Sequence, residues 1–160
     1  MINIKVGQGY DVHQLVEGRP FWLGGVKIHE TFGALGHSDA DVLIHAICDA
    51  LLGAANLRDI GFHFPNTSDR YKNIDSKILL KESMELVRQK GYELGNIDAT
   101  VVLETPKVNP HITAMQEAMA EVLDTTPDHI SIKATTGEKM GFVGRKEGVF
   151  AMATVLIYKM

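Results

Sequence analysis

Two imidazoles and a carboxylate, divided between segments of opposite periodicity, constrain this chain more than any other feature. Lys5 to His13 reads as an N-terminal strand interrupted by Gly7 and Gly9. A strand repeats its side-chain direction every second residue, so Asp11 and His13 point to one face. The run from His37 to Gly53 reads as a helix, with Leu43, Ile47, Ala50, Leu51 and Ala54 on one stripe at helical spacing. His45 points away from that stripe, on the side that also carries Asp41 and Asp49. One side chain of this helix can therefore meet two of the strand. Two imidazoles and a carboxylate are a natural ligand set for a catalytic zinc ion, and three protein ligands leave the fourth tetrahedral position open for a substrate oxygen. Taken singly, each residue also has an ordinary reading: Asp11 as a turn cap, His13 as a satisfied strand histidine, His45 as a surface residue paired with Asp41 or Asp49.

The 160 residues suffice for one domain with a real core, and 45% hydrophobic with 22% charged residues is ordinary for a globular protein. A net charge of −4 provides no basic field for nucleic acid. Any phosphate ligand must then be held by metal ions, backbone N–H groups and a few placed cations. Cys48, the lone cysteine, excludes a disulfide framework and fits a reducing cytoplasm. Three residues after His45, it reads as helix packing, with a rival ligand or nucleophile as the other reading. Met1-Ile2-Asn3-Ile4 enters a strand at once, without the apolar stretch of a signal peptide. The longest apolar run, Val149 to Tyr158, is too short to cross a bilayer. The expectation is a cytoplasmic protein with no membrane and no nucleic-acid partner.

Residues 2–13 and 21–28 read as strands, the second broken by glycines, with Glu17-Gly18-Arg19-Pro20 as the turn between. Ser38 is expected to cap the first helix, with Asp41 at the third position, and Gly53 to end it. Residues 56–73 read as a long loop of the kind that carries function. Helices are expected from Asp75 or Ser76 to Lys90 and from Pro110 to Leu123, and strands over 97–103, 130–135 and 149–158. The order ββααβαββ predicts an α/β sandwich: a mixed sheet with helices packed on one face and a hairpin-like terminal pair. No repeat or linker divides residues 1–160, which read as one domain.

Five segments, in this order and spacing, carry a resemblance. They are Gly9-Tyr10-Asp11-Val12-His13; the run from Gly36 to Gly53 with His37-Ser38-Asp39-Ala40-Asp41; Asp59-Ile60-Gly61 with Phe64-Pro65-Asn66-Thr67; Pro106-Lys107; and Lys133-Ala134-Thr135-Thr136-Gly137-Glu138-Lys139 with Gly141-Phe142 and Gly144-Arg145. Over essentially its whole length the chain resembles the 2-C-methyl-D-erythritol 2,4-cyclodiphosphate synthases of the non-mevalonate isoprenoid route. The resemblance implies a metal-dependent phosphorus–oxygen lyase. The 2-phosphate of 4-diphosphocytidyl-2-C-methyl-D-erythritol 2-phosphate attacks the β-phosphorus, CMP leaves, and a cyclic 2,4-diphosphate forms. Such a reaction asks for positioning and charge neutralisation rather than a protein nucleophile.

By this resemblance Asp11, His13 and His45 hold Zn²⁺, one ion per site, and Glu138 helps hold Mg²⁺ or Mn²⁺ brought with substrate. His37 and Thr136 stabilise the transition state, and Ser38 joins His37 at the phosphates. Asp59, Ile60, Gly61, Phe64, Pro65, Asn66, Thr67 and Ser68 correspond to the methylerythritol phosphate loop, where relatives often carry acids in place of Asn66 and Ser68. Leu103, Glu104, Thr105, Pro106, Lys107, Val108 and Asn109 match the segment that encloses cytosine through backbone groups. Thr135, Thr136, Gly137 and Glu138 meet the CDP phosphates, with Phe142 and Arg145 nearby. The resemblance also implies a homotrimer with active sites between subunits. Tyr10, Arg145 and Glu147 would line its central cavity, which binds isoprenoid diphosphates in some members. Two other readings remain at this point. One is a zinc-dependent phosphoanhydride hydrolase, in which the open position activates water. The other is a non-catalytic trimer that binds nucleotide or isoprenoid diphosphate.

Overall fold

A computed structural model of the chain describes residues 3–159. Strand β1 (Asn3–Glu17) is followed by three short strands, β2 (Phe21–Leu23), β3 (Val26–His29) and β4 (Phe32–Ala34). Helices α1 (Val42–Ala54), α2 (Ile60–His63) and α3 (Ser76–Gln89) come next, then β5 (Glu93–Val102), α4 (Ile112–Leu123), β6 (Ile130–Thr135), α5 (Gly141–Gly144) and β7 (Gly148–Lys159).

Five strands form a mixed sheet in the order β4-β1-β7-β5-β6, and β2 and β3 form a separate two-stranded ribbon. β1, β7 and β5 pair antiparallel, whereas β5 and β6 are parallel, joined through α4. The last strand therefore does not pair with β6 as a hairpin. It inserts between β1 and β5, the two longest partners available to its twelve residues. The second expected strand is also different. Gly24 and Gly25, with φ of 59° and 78°, turn the chain back on itself and split residues 21–29 into the β2–β3 ribbon. Positive φ is where glycine carries no steric penalty. The predicted start of the first strand at Ile2 lies outside the described residues.

Helix α1 is buried on almost every side, between β1, β7 and β5 below and α3 above. Leu43, Ile44, Ile47 and Leu51 are wholly buried, each contributing about 1.5–3 kcal/mol of hydrophobic stabilisation. Only His45, Asp49 and Gly53, four residues apart on one stripe, reach the surface layer. The close approach depends on Gly7 and Gly9, which face α1 rather than interrupting the strand. A Cβ at Gly7 would lie 1.9 Å from the carbonyl oxygen of Ala50, and one at Gly9 1.9 Å from that of Ala46. The glycines thus set how near His45 comes to Asp11 and His13. The opposite face of the sheet carries Ile4, Val6, Tyr10, Val12 and Met152, all exposed.

The N-cap of α1 is Asp41, not Ser38. Its carboxylate accepts from the N–H of Ile44 at 3.0 Å, and also from Gly24 at 2.9 Å and Gly25 at 2.7 Å. One buried side chain therefore caps α1 and ties it to the β2–β3 turn. Burial and the neighbouring Asp39 carboxylate push Asp41 up to about 6, while the three backbone donors hold it down. Helix α1 runs through Gly53 to Ala54, and the long loop contains α2 and a 3-10 turn at Asp69–Tyr71.

Candidate active site

Asp11 and His13 project from β1 toward α1, where His45 meets them. Asp11 Oδ2 lies 2.9 Å from His13 Nε2 and 3.1 Å from His45 Nδ1. The two imidazole nitrogens are 3.3 Å apart. Among the described residues this is the cluster of acidic, histidine and cysteine side chains with metal-ligand spacing. Asp49 takes no part, since its carboxylate accepts from the N–H of Ile60 at 2.7 Å and anchors α2.

The hydrogen bonds behind the cluster decide which atoms face its centre. His13 Nδ1 donates to the carbonyl oxygen of Leu35 at 2.9 Å, so Nε2 is the nitrogen that faces inward. His45 Nε2 is 2.9 Å from Ser76 Oγ and 3.2 Å from Ser38 Oγ, leaving Nδ1 toward Asp11. Burial alone would raise Asp11, but hydrogen bonds from both imidazoles prevail and bring it down to about 2. Burial would likewise lower His45; the bond to Asp11 and the charges of Asp11, Asp41 and Asp39 raise it instead. The cluster is a trap for positive charge. Atoms bound at 2.0–2.1 Å around a tetrahedral centre lie about 3.3 Å apart, close to the three separations here. The donor set therefore fits a divalent ion of zinc's size and ligand preference. Cys48 is not a rival ligand: burial pushes its thiol up to about 12.

The cluster forms one wall of a cavity of about 200 Å³, also lined by His37, Ser38, Ile60, Gly61, Phe64 and Asn66 from the expected substrate residues. Of the same loop, Ser68 reaches the site through its backbone, its carbonyl oxygen lying 3.2 Å from His37 Nε2. Asp59, Pro65 and Thr67 are not among the lining residues. Gly36, Tyr71, Ile74 and Leu79 line the cavity and were not anticipated. Tyr71 lay in the long loop expected to carry function but was not singled out, Ile74 lay just beyond it, and Leu79 resembled any core leucine. Arg19, assigned to a turn, donates to the carbonyl oxygens of Gly36 at 3.2 Å and Ser38 at 3.1 Å, fixing the backbone that presents His37.

A second cavity, of about 240 Å³, is lined by Leu103, Glu104, Pro106, Lys107, Val108, Asn109, Ala134, Thr135 and Thr136. The segment expected to enclose cytosine and the end of β6 are thus brought together, with Leu103 N–H donating to Thr135 O at 3.0 Å. Glu104 Oε2 accepts from Gly137 N–H at 3.0 Å. Thr105 and Gly137 flank this cavity in sequence without being among its lining residues. The two cavities share no lining residue. Glu138 stands on an exposed turn with φ of 51°, its N–H 3.1 Å from Thr136 Oγ1. Phe142 packs against Phe150, centroids 6.0 Å apart. Arg145 makes a two-pronged pair with Glu147, at 3.0 and 3.1 Å, on the surface.

The YgbB family matches residues 4–158 of the chain. The chain belongs to this family. A 2-C-methyl-D-erythritol 2,4-cyclodiphosphate synthase of Parabacteroides distasonis is 67% identical over 159 residues, covering 99% of each chain. That of Bacteroides fragilis is 65% identical over 156 residues, 98% of each. Among solved structures, the bifunctional IspDF of Campylobacter jejuni superposes with a TM-score of 0.96 at 46% identity; all of this chain matches 43% of that longer one. A CDP complex of IspF from Plasmodium falciparum gives a TM-score of 0.86 at 34% identity, covering 98% of this chain and 97% of the other.

Proposed function

We propose that the chain catalyses metal-dependent cyclisation of 4-diphosphocytidyl-2-C-methyl-D-erythritol 2-phosphate to 2-C-methyl-D-erythritol 2,4-cyclodiphosphate, releasing CMP, as a lyase of the non-mevalonate isoprenoid route. The observation that carries this reading is the convergence of Asp11, His13 and His45 inside a cavity shared with residues 37–38 and 60–66, in a chain matched along nearly its full length by the synthases. Asp11, His13 and His45 would hold Zn²⁺, which supplies charge neutralisation at the β-phosphate. Glu138 would help hold Mg²⁺ or Mn²⁺. His37 and Ser38, with their backbone pinned by Arg19, orient the phosphates, and the 60–66 loop seats the methylerythritol phosphate. The second cavity receives cytidine through the 103–109 backbone; the CDP complex of the Plasmodium falciparum relative supports a cytidine nucleotide as the ligand. Thr135, Thr136 and Gly137 hold the diphosphate, Thr136 opposing charge that builds at the transition state.

We read residues 1–160 as one cytoplasmic domain acting in a homotrimer. Two features support an assembly: the metal cavity and the cytidine cavity share no residue, and the apolar strand face bearing Ile4, Val6 and Val12 is left exposed by the described residues. One subunit would bring the metal cavity and its neighbour the cytidine cavity. Tyr10, Arg145 and Glu147 would face a central channel able to take an isoprenoid diphosphate, a role checked by titrating wild type and Arg145→Ala with geranyl diphosphate. No helix among the described residues is long and apolar enough to cross a membrane.

Incubation with the cytidine substrate and Mg²⁺, followed by ³¹P NMR, tests the activity. The expected result is cyclic diphosphate together with free CMP. A linear product carrying oxygen from labelled water would replace this reading with a hydrolase, and nucleotide binding without turnover would replace it with a sensor.

A further inference from the structure

We propose that Asp39 and Ser76 are positioning residues that select the metal-binding tautomer of His45. The argument is one of hydrogen-bond polarity. An ionised carboxylate only accepts. Asp39 takes the N–H of Ser76 on Oδ2 at 2.9 Å, and the Ser76 hydroxyl lies against its Oδ1. The hydroxyl proton of Ser76 is therefore committed to Asp39, and its oxygen is left as an acceptor. That oxygen faces His45 Nε2 at 2.9 Å, so Nε2 carries the imidazole proton. Nδ1 is then the nitrogen turned toward Asp11 and His13, and a metal ion would replace the proton it shares with the Asp11 carboxylate. The chain Asp39–Ser76–His45 thus writes the polarity of a loop carboxylate onto the ligand atom.

Three observations favour this role over simple helix capping. Helix α3 already has a cap, because the Asp75 side chain accepts from Lys77 N–H at 2.9 Å. Ser76 is wholly buried and its hydroxyl lies against the ring. Asp39 also accepts from Asp41 N–H at 3.2 Å, which fixes its carboxylate at the entry to the helix that carries His45. On the other ligand the Leu35 carbonyl oxygen performs the same service for His13, but there a backbone atom does the work and no side chain can be lost. The two histidines consequently offer different nitrogens, Nε2 of His13 and Nδ1 of His45. Ser38 Oγ, 3.2 Å from His45 Nε2, is a weaker second acceptor and itself receives Ala40 N–H at 3.1 Å.

Asp39→Asn tests the idea most sharply. An asparagine amide can donate to Ser76 Oγ, which frees the serine proton to point at His45 Nε2 and moves the imidazole proton to Nδ1. The inference rests on the metal reading, so the experiment separates the two. Zinc affinity is measured by chelator competition for wild type, His45→Ala, Ser76→Ala and Asp39→Asn. The state of His45 is read by long-range ¹H–¹⁵N NMR on zinc-loaded protein, as the nitrogen that carries the proton and its rate of exchange with water. Expected are tight binding by wild type, loss in His45→Ala, and about 10–100-fold weaker binding in the other two variants. The wild-type spectrum should show a slowly exchanging proton on Nε2, with faster exchange in Ser76→Ala and Asp39→Asn. Wild type that binds no zinc would overturn the metal reading, and this inference with it. Zinc bound by wild type but not by His45→Ala, with Ser76→Ala and Asp39→Asn within twofold of wild type, would overturn the relay alone. Should Ser76→Ala fail to fold, a wild-type spectrum with the proton on Nδ1 and zinc on Nε2 would overturn it equally.

Discussion

The two cavities are built from different materials. The metal cavity gathers Asp11, His13, His37 and His45, and its imidazole ligands are held from behind: His13 by Leu35, and His45 by Ser76, itself held by Asp39. The second cavity, proposed for cytidine, is lined by aliphatic and small polar residues, with Glu104 and Lys107 as its charged lining residues. Chemistry that must neutralise phosphate charge needs particular atoms at particular places, so a single substitution there has a large effect. Recognition through backbone groups spreads its energy and tolerates side-chain change. The sharpest way to break this contrast is His45→Ala. Turnover should fall by about 10³-fold or more, the several kcal/mol of a lost Lewis acid, while CMP affinity stays within twofold of wild type. Calorimetric CMP titration beside a ³¹P assay checks both. A parallel loss of CMP binding would mean that the cavities do not act separately.

A second test moves the metal cavity without touching its ligands. Gly9→Ala places a methyl group 1.9 Å from the Ala46 carbonyl oxygen, so α1 must lift from β1. Overpacking of this kind costs about 3 kcal/mol. Urea unfolding should show the lower midpoint, and zinc affinity should fall as His45 recedes from Asp11. The 103–109 segment lies beyond β7 and β5 from this contact, so CMP affinity should hold.

Legibility follows the same division. Asp11, His13 and His45 were readable from residue type and period, because a strand and a helix each fix side-chain direction. The ends of α3, α4 and β6 were readable from Gly, Pro and apolar spacing. What escaped was set by contacts between distant segments. Asp41 looked like a partner for His45, yet tertiary bonds to Gly24 and Gly25 drew it under the helix as the cap. Gly7 and Gly9 looked like breaks in a strand, and only the approach of α1 gives them a purpose. The place of β7 between β1 and β5 depends on pairing across the whole sheet, which no local pattern encodes. The cytidine segment carried no chemical signal of its own, since backbone recognition leaves little trace in side chains. Only family resemblance pointed to it.

Asp41 provides a pH-dependent test of the scaffold under the metal cavity. Its folded-state value of about 6 stands above the ordinary 3.8. The fold therefore binds the proton more tightly than the unfolded chain does. This group's contribution to stability is fully present below pH 3.8 and is lost as pH rises through about 6. Urea unfolding of wild type and Asp41→Asn from pH 4 to pH 7 isolates it. The wild type should lose stability relative to the variant as pH rises, because the amide cannot ionise. Equal slopes would mean that the three backbone donors fully offset burial and Asp39.

The smallest effect is expected in the second cavity. Glu104→Gln keeps an oxygen for the Gly137 N–H but removes the charge that strengthens that bond. A neutral hydrogen bond in place of a charge-assisted one costs about 1 kcal/mol, so CMP affinity should weaken about fivefold. Zinc affinity should not move, because no lining residue is shared with the metal cavity. Lys107→Ala should change CMP affinity less still if the backbone of 103–109 does the recognising. A loss at Lys107 larger than that at Glu104 would assign the nucleotide phosphates to a side-chain cation, and the two cavities would then differ in degree rather than in kind.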